Sequence, residues 1–177
     1  MQLVKLPPDV LFRAVQHKFH ATVMREYASV SPDPRSGRLI VHPHSDAPTI
    51  AILPDPVPDQ TVWVSALCLT LRAQASPIEY AMAIVARKVP PDLVFMDDIN
   101  LAEGFSGWRR LSPLEVGRLT FVPHRPVSQG AQICLATRLP DGSAEHLAWA
   151  SWAGFEIGIE TSKEQAPLLV PGQAKTA

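Results

Sequence analysis

Five side chains in the second half of the chain have the chemistry to hold a sugar: Trp108, Arg109, Arg138, Trp152 and Glu156. An indole offers a flat apolar platform to the C–H face of a sugar ring, and a guanidinium donates a planar fork to hydroxyls or a carboxylate. Trp108 stands between Gly107 and the pair Arg109-Arg110, at the entrance to a strand. Trp152 alternates out of step with Phe155 and Ile157 and in step with Glu156, so it is expected on the outer face of its strand. An outward indole needs a cover, which is either a sugar ring or protein surface, from the N-terminal segment or a second copy. Trp63 alternates with Leu67, Leu69 and Leu71, and Trp149 with Phe155 and Ile157, so both are read as core.

Other chemistry is sparse. His42-Pro-His44 with Asp46 has the imidazole and carboxylate composition that suits zinc or nickel, and His17 and His20 lie three residues apart. No spacing fixes a third ligand, so these are read as a polar loop and as surface histidines, with no metal expected. Asp97, Asp98, Asn100 and Glu103 are oxygen-rich, as calcium prefers, but lack the glycine-centred calcium-loop spacing and are read as a solvated loop. Phe105-Ser-Gly107 is not a nucleophile elbow, and no glycine-rich phosphate loop is present. Cys68 and Cys134 fall mid-strand and read as two buried free thiols. These observations point to a non-catalytic chain with no cofactor.

The elements that must position these residues are mostly strands. Short runs of β-branched and aromatic residues, broken by Pro and Gly, mark strands at Arg38–His42, Thr49–Leu53, Thr61–Arg72 and Ile78–Val89, with a further one at Leu93–Met96. Thr61–Arg72 and Ile78–Val89 are expected to pair as a hairpin through residues 73 to 77. Later strands run through Gly117–Val122, Ala131–Leu139 and Leu147–Ile159. Leu67, Leu69, Ile84, Leu119, Phe121, Leu135, Phe155 and Ile157 are the expected core. Ahead of them, apolar residues from Val10 to Tyr27 recur at helical spacing, with Asp9 at the start. The reading is one N-terminal helical extension over residues 1 to 36, an antiparallel β-sandwich over 37 to 162, and a mobile tail over 163 to 177.

Composition narrows the classes further. The 16 basic and 17 acidic residues nearly cancel, which disfavours nucleic acid as a partner. No run approaches the roughly 18 apolar residues of a membrane span. The start of the chain lacks an export signal, so a cytoplasmic location is expected. The 18 prolines are about twice ordinary usage and imply many turns and extended connections.

Trp108 to Leu111, followed by Phe121-Val-Pro123, resembles the galactose-binding-like jelly rolls common among carbohydrate-binding modules. Arg38-Leu-Ile-Val-His-Pro43, Phe105 to Pro113, Leu135 to Leu139 and Ala148-Trp-Ala150 look like an uncharacterised bacterial domain family associated with glycosyltransferase and glycan-handling proteins. The resemblance spans roughly residues 37 to 160. It implies an all-β, jelly-roll sandwich that takes an oligosaccharide or serves glycan processing. Gly154-Phe-Glu-Ile-Gly158 lacks the paired aspartates that would carry a calcium site of that fold. A second class remains open: an assembly module, homo-oligomeric through the N-terminal helix and the outer face of one sheet.

Overall fold

A computed structural model describes residues 1–17, 29–43, 45–140 and 149–161. The elements run β1 (Gln2–Lys5), α1 (Pro8–Phe12), β2 (Val15–Gln16), β3 (Ser29–Asp33), β4 (Arg38–His42), β5 (Thr49–Pro56), β6 (Thr61–Thr70) and β7 (Ile78–Val85). Then follow α2 (Pro91–Met96), a 3-10 turn at Ile99–Leu101, β8 (Gly104–Phe105), β9 (Arg109–Leu111), β10 (Val116–Phe121), β11 (Gln132–Arg138) and β12 (Ala150–Ile159). All pairings are antiparallel. The front sheet has the order β10-β6-β12-β4-β3, with β1 also along β12. The back sheet has the order β2-β5-β11-β7-β8, with β9 also along β7. The chain is an antiparallel β-sandwich.

The space between the sheets is filled by Ile78, Tyr80, Met82 and Ile84 of β7, Leu119 and Phe121 of β10, Ile133 and Leu135 of β11, and Trp152, Phe155 and Ile157 of β12. Two buried hydroxyls tie the layers: Thr70 Oγ1 lies 3.0 Å from Tyr80 Oη, and Thr137 donates to the Val41 carbonyl at 2.7 Å. β7 is apolar on both faces, because a second cluster sits behind it. There Ala81, Ala83, Val85, Cys134 and Ala136 are covered by Val94 and Phe95 of α2. A strand buried on both sides reads as an unbroken apolar run, as Tyr80–Val85 does.

Four expectations change here. β6 and β7 are not a hairpin: they belong to opposite sheets, and residues 71 to 77 arch between them. Each strand has an apolar face, and packing face to face buries both. On β6 the inward face is Val64, Ala66, Cys68 and Thr70, whereas Trp63, Leu67 and Leu69 are half-buried on the outside. Neighbouring Trp152 and Phe121 already fill the interior under β6, which leaves room for small side chains only. Leu93–Met96 is helical, not extended, since Pro91 stands at the first helical position, where its fixed φ and missing N–H suit a helix. The expected N-terminal helix stops at Phe12, and Val15 and Gln16 instead pair with β5. So short a helix has little stability of its own, and the open edge of β5 offers backbone partners. Residues 2–5 and 29–33 are strands of the front sheet, so the segment read as a helical extension contributes to the sandwich. The remainder of that expected helix, residues 18 to 28, and the tail from 163 lie outside the described residues.

Both cysteines are free and buried, Cys68 between the sheets and Cys134 behind the back sheet. Burial pushes each thiol up to about 12, because the low-dielectric surroundings disfavour the thiolate. In the unfolded chain the same thiols ionise near 8.5. The unfolded state therefore sheds protons first, and stability falls as pH rises from about 9 toward 12. Thiol titration at pH 8 is expected to find almost no reaction in the native protein and two groups after unfolding. Chemical denaturation across pH 8 to 11 should show the alkaline loss, flattened in Cys134→Ala.

Candidate functional site

The two outer faces of the sandwich differ. The back sheet is roofed by α2, with Phe95 against Phe105 and Trp108 at 5.9 Å each. The front sheet carries no such cover among the described residues. Its outer side is only partly exposed: Trp63, Leu67 and Leu69 are half-buried, while Ile40, Ser65 and Ser151 are buried.

The five expected residues do not form one site. Trp152 is completely buried, edge-on to Tyr80 at 5.5 Å and beside Phe155 at 6.4 Å, so it is a core residue and not an outward platform. The reason is a β-bulge: between Ala153 and Glu156 β12 advances three residues while β6 advances two, from Leu67 to Ser65. Gly154, at φ 58°, is the extra residue, and it reverses the alternation so that Trp152 and Phe155 point the same way. Trp149, read as core, is 39% exposed, with the Arg72 guanidinium 5.7 Å from its ring. Trp108 and Arg138 do meet, but on each other. The Arg138 guanidinium lies 4.0 Å over the Trp108 ring and donates through Nε to Glu79 at 2.6 Å. That face of the indole is already occupied.

Arg109 and Glu156 are drawn to a different place, through an arginine that the sequence did not single out. Arg109 donates to the Arg118 carbonyl at 3.0 Å. Arg118 Nη1 donates to Ser65 Oγ at 3.0 Å and to Glu156 Oε2 at 3.3 Å. Ser65 and Thr120 hydroxyls lie 2.9 Å apart, and Lys5 Nζ stands 3.9 Å from Glu156 Oε1. Register places Thr120, Ser65, Glu156 and Lys5 in one row across β10, β6, β12 and β1. Exposed pairs of this kind contribute little stability, but they hold the donors and acceptors in fixed positions.

Beside this row lies Trp63. Its register partner is Gly158, and three atoms of its five-membered ring crowd the position a Cβ on Gly158 would take. The indole is therefore laid flat against the backbone of β12. Leu3, 52% exposed, is the partner of Gly158 on the other side. The sequence alone gives Trp63 no distinction from a core residue, since only the register reveals the glycine opposite it.

The remaining candidates have structural partners. Asp98 Oδ1 accepts from the Asn100 backbone and side chain at 2.9 and 2.8 Å, and buried Glu103 accepts from the Ser128 N–H at 2.9 Å. His17 Nε2 is 2.8 Å from Asp92, and His42 packs 5.7 Å from Trp149. His20 and His44 lie outside the described residues. No cluster of three metal-binding side chains occurs among the described residues, and no described helix is long and apolar enough to cross a membrane.

Residues 3–138 match the model of DUF6212, a family of unknown function. The chain belongs to that family. The matched span takes in Trp63, Arg109, Arg118 and Arg138, while Glu156 and Gly158 follow it. A search of curated proteins finds no match. Among solved structures, an arabinose-bound MgGH51 α-L-arabinofuranosidase is similar at 8% identity and a TM-score of 0.47, over 88% of this chain and 22% of that one. This chain thus spans about a fifth of the arabinofuranosidase chain. A family 11 carbohydrate-binding module from Clostridium thermocellum, in complex with a β-1,3-1,4-mixed-linked tetrasaccharide, is similar at 11% identity and a TM-score of 0.40. That likeness covers 81% of this chain and 94% of the module.

The flat seat of Trp63 depends on Gly158 having no side chain. Gly158→Ala is expected to lift the indole off the sheet, shifting its emission to longer wavelength at a stability cost of about 1 to 3 kcal/mol. Fluorescence and urea unfolding of the variant against wild type check both effects.

Proposed function

We propose that this chain is a non-catalytic carbohydrate-binding module that takes an oligosaccharide on the outer face of the front sheet. The observation that carries the reading is the Trp63 indole laid over Gly158 beside the row Thr120, Ser65, Glu156 and Lys5. A sugar ring has an apolar C–H face and an equatorial rim of hydroxyls. The indole receives the first, and carboxylate, hydroxyl and guanidinium groups receive the second. Adjacent strands stand about 4.8 Å apart, so a row over four strands is about 14 Å long, enough for a short oligosaccharide and not just one ring. Arg118 fixes Ser65 and Glu156 before any ligand arrives, which lowers the ordering cost of binding. Of the residues singled out in the sequence, Glu156 contacts the ligand in this reading and Arg109 steadies the strand that carries Arg118. Trp108 and Arg138 belong to a separate cluster behind the back sheet, and Trp152 supports the core.

The assembly reading uses the same face, where half-exposed Leu67, Leu69 and Ala153 lie beside exposed Val116. Titration of intrinsic fluorescence with a panel of oligosaccharides separates the two. A saturable shift is expected with at least one of them, lost in Trp63→Ala, weakened in Glu156→Gln and retained in Arg138→Ala. Should no oligosaccharide move the emission while Trp63→Ala changes the oligomeric mass, the face is an assembly surface.

A further inference from the structure

At the end of the sandwich where β1 enters and β12 leaves, the space between the sheets is not filled. A cavity of about 120 Å3 opens there, walled by Val4, Val10, Leu53, Val57, Ile133 and Ile157, with Asp55 at its edge. It is built by the chain's own irregularity. Pro54, Pro56 and Pro58 deprive that end of β5 of backbone donors, and the pairing slips so that Gln132 of β11 faces Pro56 while Cys134 faces Ile52. The Gln132 side chain then donates to the Leu53 and Pro54 carbonyls at 3.3 and 3.2 Å, taking over what a regular ladder would supply. Aliphatic side chains line the gap.

Close-packed interiors rarely leave voids larger than a water molecule, and an apolar cavity of roughly 150 Å3 stays dry and admits benzene. We infer that this opening is a binding site for a compact, uncharged apolar group of up to about six carbon atoms. It is separate from the outer face: Ile157 lines the cavity, whereas its neighbours Glu156 and Gly158 lie on the opposite side of β12. A sugar is excluded by the same walls, because its hydroxyls would be buried without partners. Asp55, at the cavity's edge, is paired with Arg13 at 2.6 Å.

Benzene is the probe. Titrated into methyl-labelled protein, it is expected to shift the Ile133 and Ile157 methyl signals saturably, leave Leu67 and Leu69 unmoved, and raise the melting temperature. Val57→Phe fills the cavity and removes the saturable shifts. Leu6→Trp, at the half-buried rim, weakens binding at least about tenfold without enlarging the core, which keeps the test alive if Val57→Phe fails to fold. Saturable movement of the Ile133 and Ile157 signals by glucose, or none by benzene, overturns the assignment. Neither result bears on the Trp63 face, which is read from oligosaccharide titration alone.

Discussion

One extra residue in β12 sets which of its side chains enter the core and which stand on the outer face. Gly154 takes a backbone conformation with φ 58° that L side chains rarely adopt, and a Cβ there would sit 3.2 Å from Leu67 Cδ1. Because side chains alternate along a strand, inserting a single residue exchanges the two faces for all that follows. Before the bulge, Ala150 and Trp152 point inward; after it, Phe155 and Ile157 do. The core thereby receives two large rings three residues apart from one strand. The outer face receives Glu156 and Gly158, the anion of the polar row and the bare backbone beneath Trp63. Without the bulge, Phe155 and Ile157 would meet water, and Glu156 would be driven between the sheets.

The two sheets solve the problem of burial differently, and that difference leaves one face available. The back sheet buries both sides, since α2 and the 3-10 turn close over Ala81, Ala83 and Ala136 with Phe95 as the main filler. Trp108 belongs to that roof: its ring edges against Phe95 and is covered by Arg138, itself held by Glu79. The front sheet keeps a mixed face of indole, aliphatic and charged groups. Such a face does not need covering to be stable, because Thr120, Glu156 and Lys5 reach water, buried Ser65 is hydrogen-bonded to Thr120 and Arg118, and Trp63 packs on the sheet itself. Among the described residues, Trp152 Nε1 and Thr61 Oγ1 are buried without a protein hydrogen-bond partner.

What could be read in the sequence follows from what is local. β7, β10 and β11 were visible because their alternation is unbroken or their apolar run is complete, and Ile84, Leu119, Phe121 and Leu135 are core as expected. Phe155 and Ile157 are core too, because after the bulge their parity is the inward one. Trp152 was misplaced because alternation was carried through Gly154 as though the strand were regular. β6 was inverted for another reason. Its larger apolar residues lie outside, and the choice of face is made by the bulk of Trp152 and Phe121 on neighbouring strands, information the β6 segment does not contain. The same holds for the connection from β6 to β7, where seven residues suit either a hairpin or an arch.

The candidate site was half legible on the same principle. Glu156 and Arg109 were picked for their types, and they do come together, but through Arg118, which nothing in its own neighbourhood distinguishes. Trp63 acquires its role only from a glycine 95 positions later in the chain, brought opposite it by the pairing of β6 with β12. A flat indole on a sheet requires both members of that pair. The aromatic supplies the area that the glycine lacks, and the glycine removes the Cβ that would tilt the ring away. A pair of that kind is a packing solution, and it leaves Trp63 half-buried on the outer side of the front sheet. The two expected residues that ended in the roof of the back sheet show the converse. Arg138 over Trp108 satisfies cation and ring at once, and so takes up one face of that platform.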